Sequence, residues 1–140
     1  MSLTYHTKNL YVDTTNTKLV TSTGTKIDDP VFFYKDNLML NWIIRDNNQS
    51  AIDLTGGTFE FKIAGEYNDE ILVIIADGDF VKTGIAVGEI SCPVDMDQGA
   101  VLTFVDLLLS NDAHASLWMT LGGVDYLLVA FNPTIRNIIF

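Results

Sequence analysis

The sequence predicts an all-β sandwich of about nine short strands with one short helix, and three observations carry that prediction. Residues 38–45 and 58–64 alternate apolar and polar side chains with a period of two, as a half-buried strand requires, because successive side chains point to opposite faces of a sheet. Two β-prone runs, 113–121 and 124–131, are separated by Gly122-Gly123 alone, a strong hairpin signal because both central positions of a type I′ turn need positive φ. Short strand-like runs recur along the chain, and one stretch alone has helical spacing. The 140 residues have the size of one domain, enough to bury about two-thirds of the unfolded surface in a single core.

Taken in order, residues 9–13 and 18–22 flank Thr14-Thr15-Asn16-Thr17 and read as a hairpin. Its apolar face is thin, Leu10 and Val12 with Leu19, and a two-stranded hairpin is marginal alone. It must dock on the core or on another subunit. Ser22 to Pro30 is polar and reads as a linker. The chain therefore divides into an N-terminal hairpin arm and linker over 1–30 and a β-sandwich domain over 31–140.

Val31 to Lys35 enters the core, and Asp36-Asn37 reads as a bend. Leu38 to Ala64 reads as a second hairpin, two strands joined by the polar turn Asp46 to Gly57. In its first strand Leu38, Leu40, Trp42 and Ile44 share a face; in its second Phe59, Phe61 and Ile63 do. Ile71 to Ile75 is an unbroken, mostly β-branched run, which suits a buried strand. Asp77-Gly78-Asp79 is a turn, and Thr83 to Gly88 opens into a strand from Glu89 to Val94. Pro93 cannot donate to a ladder, so that strand lies at an edge or ends there.

Asp97 to Ser110 is the helical stretch. Val101, Phe104, Val105 and Leu108 recur at i, i+3, i+4 and i+7, and Asp95 or Asp97 suits a cap. The last run, Thr134 to Phe140, is a strand; either Phe140 is buried or the natural protein continues past it.

Charge narrows the function classes. A net charge of −10, with the eight basic residues scattered singly, disfavours nucleic acid and anionic membrane surfaces, which are bound by clustered Lys and Arg. It suits a basic protein partner. No apolar run approaches the roughly 18 residues that span a bilayer, and residues 1–6 do not show a basic region followed by an apolar one, so no export signal is expected. The single cysteine, Cys92, shares parity with Ile90 and Val94 and reads as a small buried hydrophobe.

The usual marks of catalysis are thin. The two histidines, His6 and His114, read as exposed, and no nucleophile-elbow, zinc-protease, P-loop or dinucleotide fingerprint occurs. Asp95-Met96-Asp97 starts like a calcium loop but places Gly99 and Asp106 at its fifth and twelfth positions, so a turn and a helix cap explain it better. Glu60, Glu89 and Asp53 are the carboxylates from which a hydrolytic pair would be drawn. Among aromatics for sugar stacking stand Tyr67, Trp118 and Tyr126. Leu117, Met119 and Leu121 form the apolar face of their strand, so Trp118 points the other way. An outward Trp marks a binding surface, or a second packed layer or subunit contact.

The segment Asp46 to Ile63, with Ile52-Asp53-Leu54-Thr55-Gly56 before Thr58-Phe59-Glu60-Phe61-Lys62-Ile63, resembles the N-terminal Ig-like domain of phage baseplate and tail proteins. The closing hairpin, Gly122-Gly123-Val124-Asp125-Tyr126-Leu127-Leu128, and Asn132 to Asn137 are similar to the end of such domains. The likeness runs from about Asp36 onward; Asn47-Asn48 stand where the family often has Gly, and residues 1–30 fall outside it. It implies an Ig-like β-sandwich that assembles a tail or baseplate through protein–protein contacts. It further implies homo-oligomers and other tail proteins as partners, and a place in the virion tail after synthesis in the host cytoplasm. No enzyme activity, cofactor, metal, small-molecule substrate, nucleic acid or membrane is expected. Exposed arms and sheet edges are docking surfaces in an assembly, which makes Leu10, Tyr11 and Val12 of the arm, the aromatics Trp118 and Tyr126, and Ile138 and Phe140 of the last strand the candidate interaction residues. A carbohydrate-binding module using Trp118 and Tyr126 is the alternative.

Overall fold

The computed structural model describes residues 6–65, 70–106 and 110–137. Among them are eleven strands and one α-helix: β1 (His6–Asp13), β2 (Lys18–Val20), β3 (Val31–Phe33), β4 (Asn37–Arg45), β5 (Thr58–Gly65), β6 (Ile71–Ile75), β7 (Val81–Gly84), β8 (Glu89–Asp95), α1 (Gly99–Asp106), β9 (Ser110–Leu121), β10 (Val124–Phe131) and β11 (Thr134–Arg136). They form two sheets. The first runs β2-β1-β4-β8-β7; the second runs β3-β11-β9-β5-β6, with β10 also on β9. The expected all-β sandwich is the observed one.

The core follows from strand parity. Leu38, Leu40, Trp42 and Ile44 of β4 face Phe59, Phe61 and Ile63 of β5 across the sandwich, all buried. Trp42 of the first sheet meets Phe61 and Phe131 of the second at centroid distances of 5.1 and 6.3 Å. Tilted aromatic pairs of this kind add about 0.5–1.5 kcal/mol beyond the area they bury.

β4 and β5 are not a hairpin. β4 pairs β1 and β8, whereas β5 pairs β9 and β6. The segment between them crosses from one sheet to the other, which its length permits. It first folds back on β4, with the Ile52 amide donating to Ile44 O at 3.3 Å and that of Ser50 to Asp46 Oδ1 at 3.0 Å. The Leu54 amide then donates to Ile85 O, at the 3-10 turn Ile85–Val87. Leu54 itself is fully buried. The next four residues make a turn, closed by the Gly57 amide on Leu54 O, with Gly56 at φ 86°. That is the third position of a type II turn, where glycine is favoured because it has no Cβ to clash. Asp53 accepts the Thr55 amide at 2.9 Å and its hydroxyl, which holds the carboxyl below its ordinary range. Each residue of Ile-Asp-Leu-Thr-Gly thus has a mechanical role in the crossing.

The N-terminal hairpin docks on the core of its own chain. β1 lies parallel to β4 over eight residue pairs, from His6 with Leu38 to Asp13 with Arg45. Leu10, Val12 and Leu19 are buried in the common core, and the Ala130 amide of β10 donates to Thr17 O at the hairpin tip.

Several local expectations hold. Gly122 and Gly123 both take positive φ, 60° and 78°. Cys92 is fully buried. The expectation for Pro93 is corrected: β8 lies between β4 and β7 and runs on to Asp95, and Pro93 is accommodated because β7 pairs β8 only from Glu89 to Ser91, so no amide is needed on that side of Pro93. The helix is shorter than expected, Gly99–Asp106; Val101 and Val105 are buried, while Leu108 lies outside the described residues. Asp95 Oδ1 accepts the Asp97 amide at 2.9 Å and so shapes the turn before the helix. In the run 71–75, Leu72, Val73 and Ile75 are buried but Ile71 and Ile74 are exposed, because a register shift in the pairing with β5, between Ile63 and Ala64, interrupts the alternation and lets residues of opposite parity reach solvent.

Candidate functional site

The candidate interaction residues do not converge on one surface. Leu10 and Val12 alternate inward along β1 and present nothing to a partner, being 5% and 0% exposed. That corrects their reading as a docking face: the thin apolar stripe is filled by the core instead. Tyr11, between them, points out of the first sheet, with the Arg45 guanidinium carbon 5.2 Å from its ring centre. Tyr126 is exposed, but it pairs with the inward Met119, whereas Trp118 pairs with Leu127. The two aromatics therefore stand on opposite faces of the hairpin. Ile138, Phe140 and Tyr67 lie outside the described residues.

The two outer faces of the sandwich differ in chemistry. On the first sheet the polar side chains bond one another: Asn41 Nδ2 donates to Asn9 Oδ1 at 3.0 Å, and Ser91 Oγ donates to Asn41 Oδ1 at 2.7 Å. Three neighbouring strands are thus tied by one ladder. On the second sheet, register places Glu60 beside Trp118 and Thr58 beside Thr120. These groups, with Lys62, Asp77 and Asp125, line an open depression of about 490 Å³. Thr120 Oγ1 donates to Asp125 Oδ1 at 2.6 Å. Asp77 Oδ1 accepts the Phe59 amide at 2.9 Å and meets Lys82 Nζ at 3.4 Å. Glu60, Lys62 and the Trp118 indole N–H engage no described residue.

The other titratable groups are structural in placement. Glu60 and Glu89 occupy the outer faces of different sheets, and Asp53 is committed to Thr55, so the three do not form a hydrolytic pair. His6 Nδ1 lies 3.0 Å from Asp36 Oδ2, and His114 Nδ1 lies 2.8 Å from Asn132 Oδ1, both at the surface. Burial pushes the Cys92 thiol up to about 12, the Trp42 indole opposing it in part. Among the described residues no three His, Cys, Asp or Glu side chains are grouped to hold a metal ion, and no helix is long and apolar enough to cross a membrane.

No family model matches the chain, and no curated protein matches its sequence. Among solved structures it is similar to the N-terminal domain of phage TP901-1 ORF48, with a TM-score of 0.52 over 93% of this chain and 98% of that domain. The fold is that of a phage protein domain. The sequences are 13% identical, so the common property is the path of the backbone. Coverage of 93% leaves about ten of the 140 residues outside the match. Most of residues 1–30, which the sequence resemblance did not reach, therefore belong to it. This agrees with β1 and β2 being strands of the first sheet.

Proposed function

We propose that this chain is a structural module of a phage or prophage tail or baseplate, an Ig-like sandwich that works by protein–protein contact and carries out no catalysis. The observation that supports this reading most is the end-to-end fold likeness to the N-terminal domain of phage TP901-1 ORF48. A second support is the tip of the β9–β10 hairpin, where Leu121, Val124 and Tyr126 are 37%, 51% and 47% exposed. Apolar side chains grouped at a hairpin tip favour burial against a partner over solvent. Other tail or baseplate proteins and further copies of this chain are the proposed partners, with the assembled particle as the place of action.

Co-expression with the tail proteins encoded beside it tests the proposal. A stable complex is expected, weakened by Val124→Asp and Tyr126→Asp, and the chain should be present in purified particles. A monomer by light scattering that joins none of those proteins and is missing from particles overturns it.

A further inference from the structure

We infer that the depression on the outer face of the second sheet is a subsite for a neutral saccharide, with Trp118 as its platform. The inference is independent of the assembly role. A pyranose ring has an apolar C–H face and a rim of hydroxyls, so its receptor needs an aromatic plane beside unengaged donors and acceptors.

The register supplies that combination. Trp118 on β9 stands next to Glu60 on β5, and Lys62 lines the same depression. Within the described residues the indole N–H, the Glu60 carboxylate and the Lys62 ammonium have no partner, so two donors and an acceptor remain for ligand hydroxyls. Thr120 and Asp125, by contrast, bond each other at 2.6 Å, and Asp77 is held by Phe59 and Lys82; these form a fixed rim. The opposite face of the sandwich has its Asn9, Asn41 and Ser91 side chains tied together, which makes the open chemistry around Trp118 a local feature.

Charge selects the ligand class. Glu60, Asp77 and Asp125 disfavour an anion, while Lys62 and the Lys82 that pairs with Asp77 offset most of the negative charge that would hold a cation. A neutral polyol with one apolar face needs neither charge. The volume of about 490 Å³ falls within the roughly 300–1,000 Å³ of small-ligand sites, and its openness to solvent suits one or two sugar units of a longer chain.

The chain has two tryptophans, so its indole N–H resonances give a test with a built-in control: Trp42 is fully buried. Methyl glucoside, methyl galactoside, methyl mannoside and methyl rhamnoside are titrated singly to about 50 mM, a range set for millimolar dissociation constants. Glycerol and L-lysine amide serve as comparison probes. At least one glycoside should saturate and shift the Trp118 resonance while Trp42 stays fixed. Trp118→Ala should abolish saturation-transfer signals from that glycoside, Glu60→Gln and Lys62→Met should each weaken binding about tenfold, and Trp118→Phe should retain part of it. The conservative surface variants keep the test valid if Trp118→Ala fails to fold. The inference is overturned if no glycoside moves Trp118, if glycerol moves it equally, if L-lysine amide binds in place of the sugars, or if binding survives Trp118→Ala. Loss of sugar binding leaves assembly with tail proteins untouched, so the two proposals fail separately.

Discussion

The Trp42 indole N–H donates to the Cys92 sulfur at 3.5 Å, from β4 to the neighbouring β8, with both residues fully buried. A buried indole N–H needs an acceptor, and here a thiol provides it. The thiol in turn has no route to ionisation, since burial raises its pKa to about 12. Native protein should therefore resist a thiol reagent at pH 8, and label only at the rate of global opening. Rapid stoichiometric labelling of the folded protein would contradict this arrangement.

The same pair has an alkaline consequence. A folded-state pKa above the unfolded value of about 8.5 means that the contribution of Cys92 is complete below that value. It is lost as pH rises toward about 12, at up to about 1.4 kcal/mol per pH unit. Cys92→Ala should flatten the alkaline limb of stability against pH in urea titrations, at the cost of leaving the Trp42 N–H unpartnered.

Asp13 contributes on the acid side. Desolvation raises its pKa, but the Asn16 side chain at 2.8 Å, the amides of Asn16 and Thr15 at 3.2 and 3.0 Å, and the charge of Lys18 outweigh it and the net shift is downward. A lowered carboxyl contributes fully above its unfolded pKa of about 3.9 and loses that contribution as pH falls through the folded value. Asp13→Asn should be less stable than the parent at pH 6, and the gap should narrow below about pH 4. A gap that is constant with pH would exclude the linkage.

Treating β1 as part of the core has a direct test. Leu10→Ala should cost about 2 kcal/mol or more in denaturant unfolding, as a large-to-small change in a packed interior does, and backbone amides of residues 7–13 should exchange as slowly as those of β4. Exchange near the rate of an open chain would return the segment to the status of an arm.

Leu54 joins the two sheets as a buried plug in the crossing. Leu54→Ala should cost about 2–5 kcal/mol. Gly56→Ala should cost about 1 kcal/mol or more, because a φ of 86° is strained for any residue with a Cβ. Equilibrium unfolding monitored by Trp fluorescence reads both.

Parity was the legible part of the fold. Alternation along 38–45 and 58–64 told which side chains enter the core, and two glycines told where β9 turns into β10. Periodicity identifies a buried face, but it is silent about which strand lies alongside. That is why β4 and β5 read as a hairpin although the twelve residues between them reach the opposite sheet. It is also why Leu10 and Val12, too few to look like a core face, read as a docking surface. Trp118 was legible as an outward residue for the same reason of parity. The neighbours that give it chemical meaning were not, because Glu60 and Lys62 reach it through the pairing of β5 with β9, strands far apart in sequence.

The β3–β11 pair has a bearing on the order in which the molecule can be made. Val31 aligns with Thr134 and Phe33 with Arg136 in parallel register, so a strand from the first quarter of the chain waits for one of the last to be synthesised. Phe32, buried in the finished protein, has no strand beside it until then. The first sheet, all of whose strands precede residue 96, can pair while the second is still incomplete on the ribosome. Such distant pairing slows folding, since loop closure must precede any reward from contact. The nascent chain therefore stays a half-closed sandwich until β11 has emerged and paired with β3.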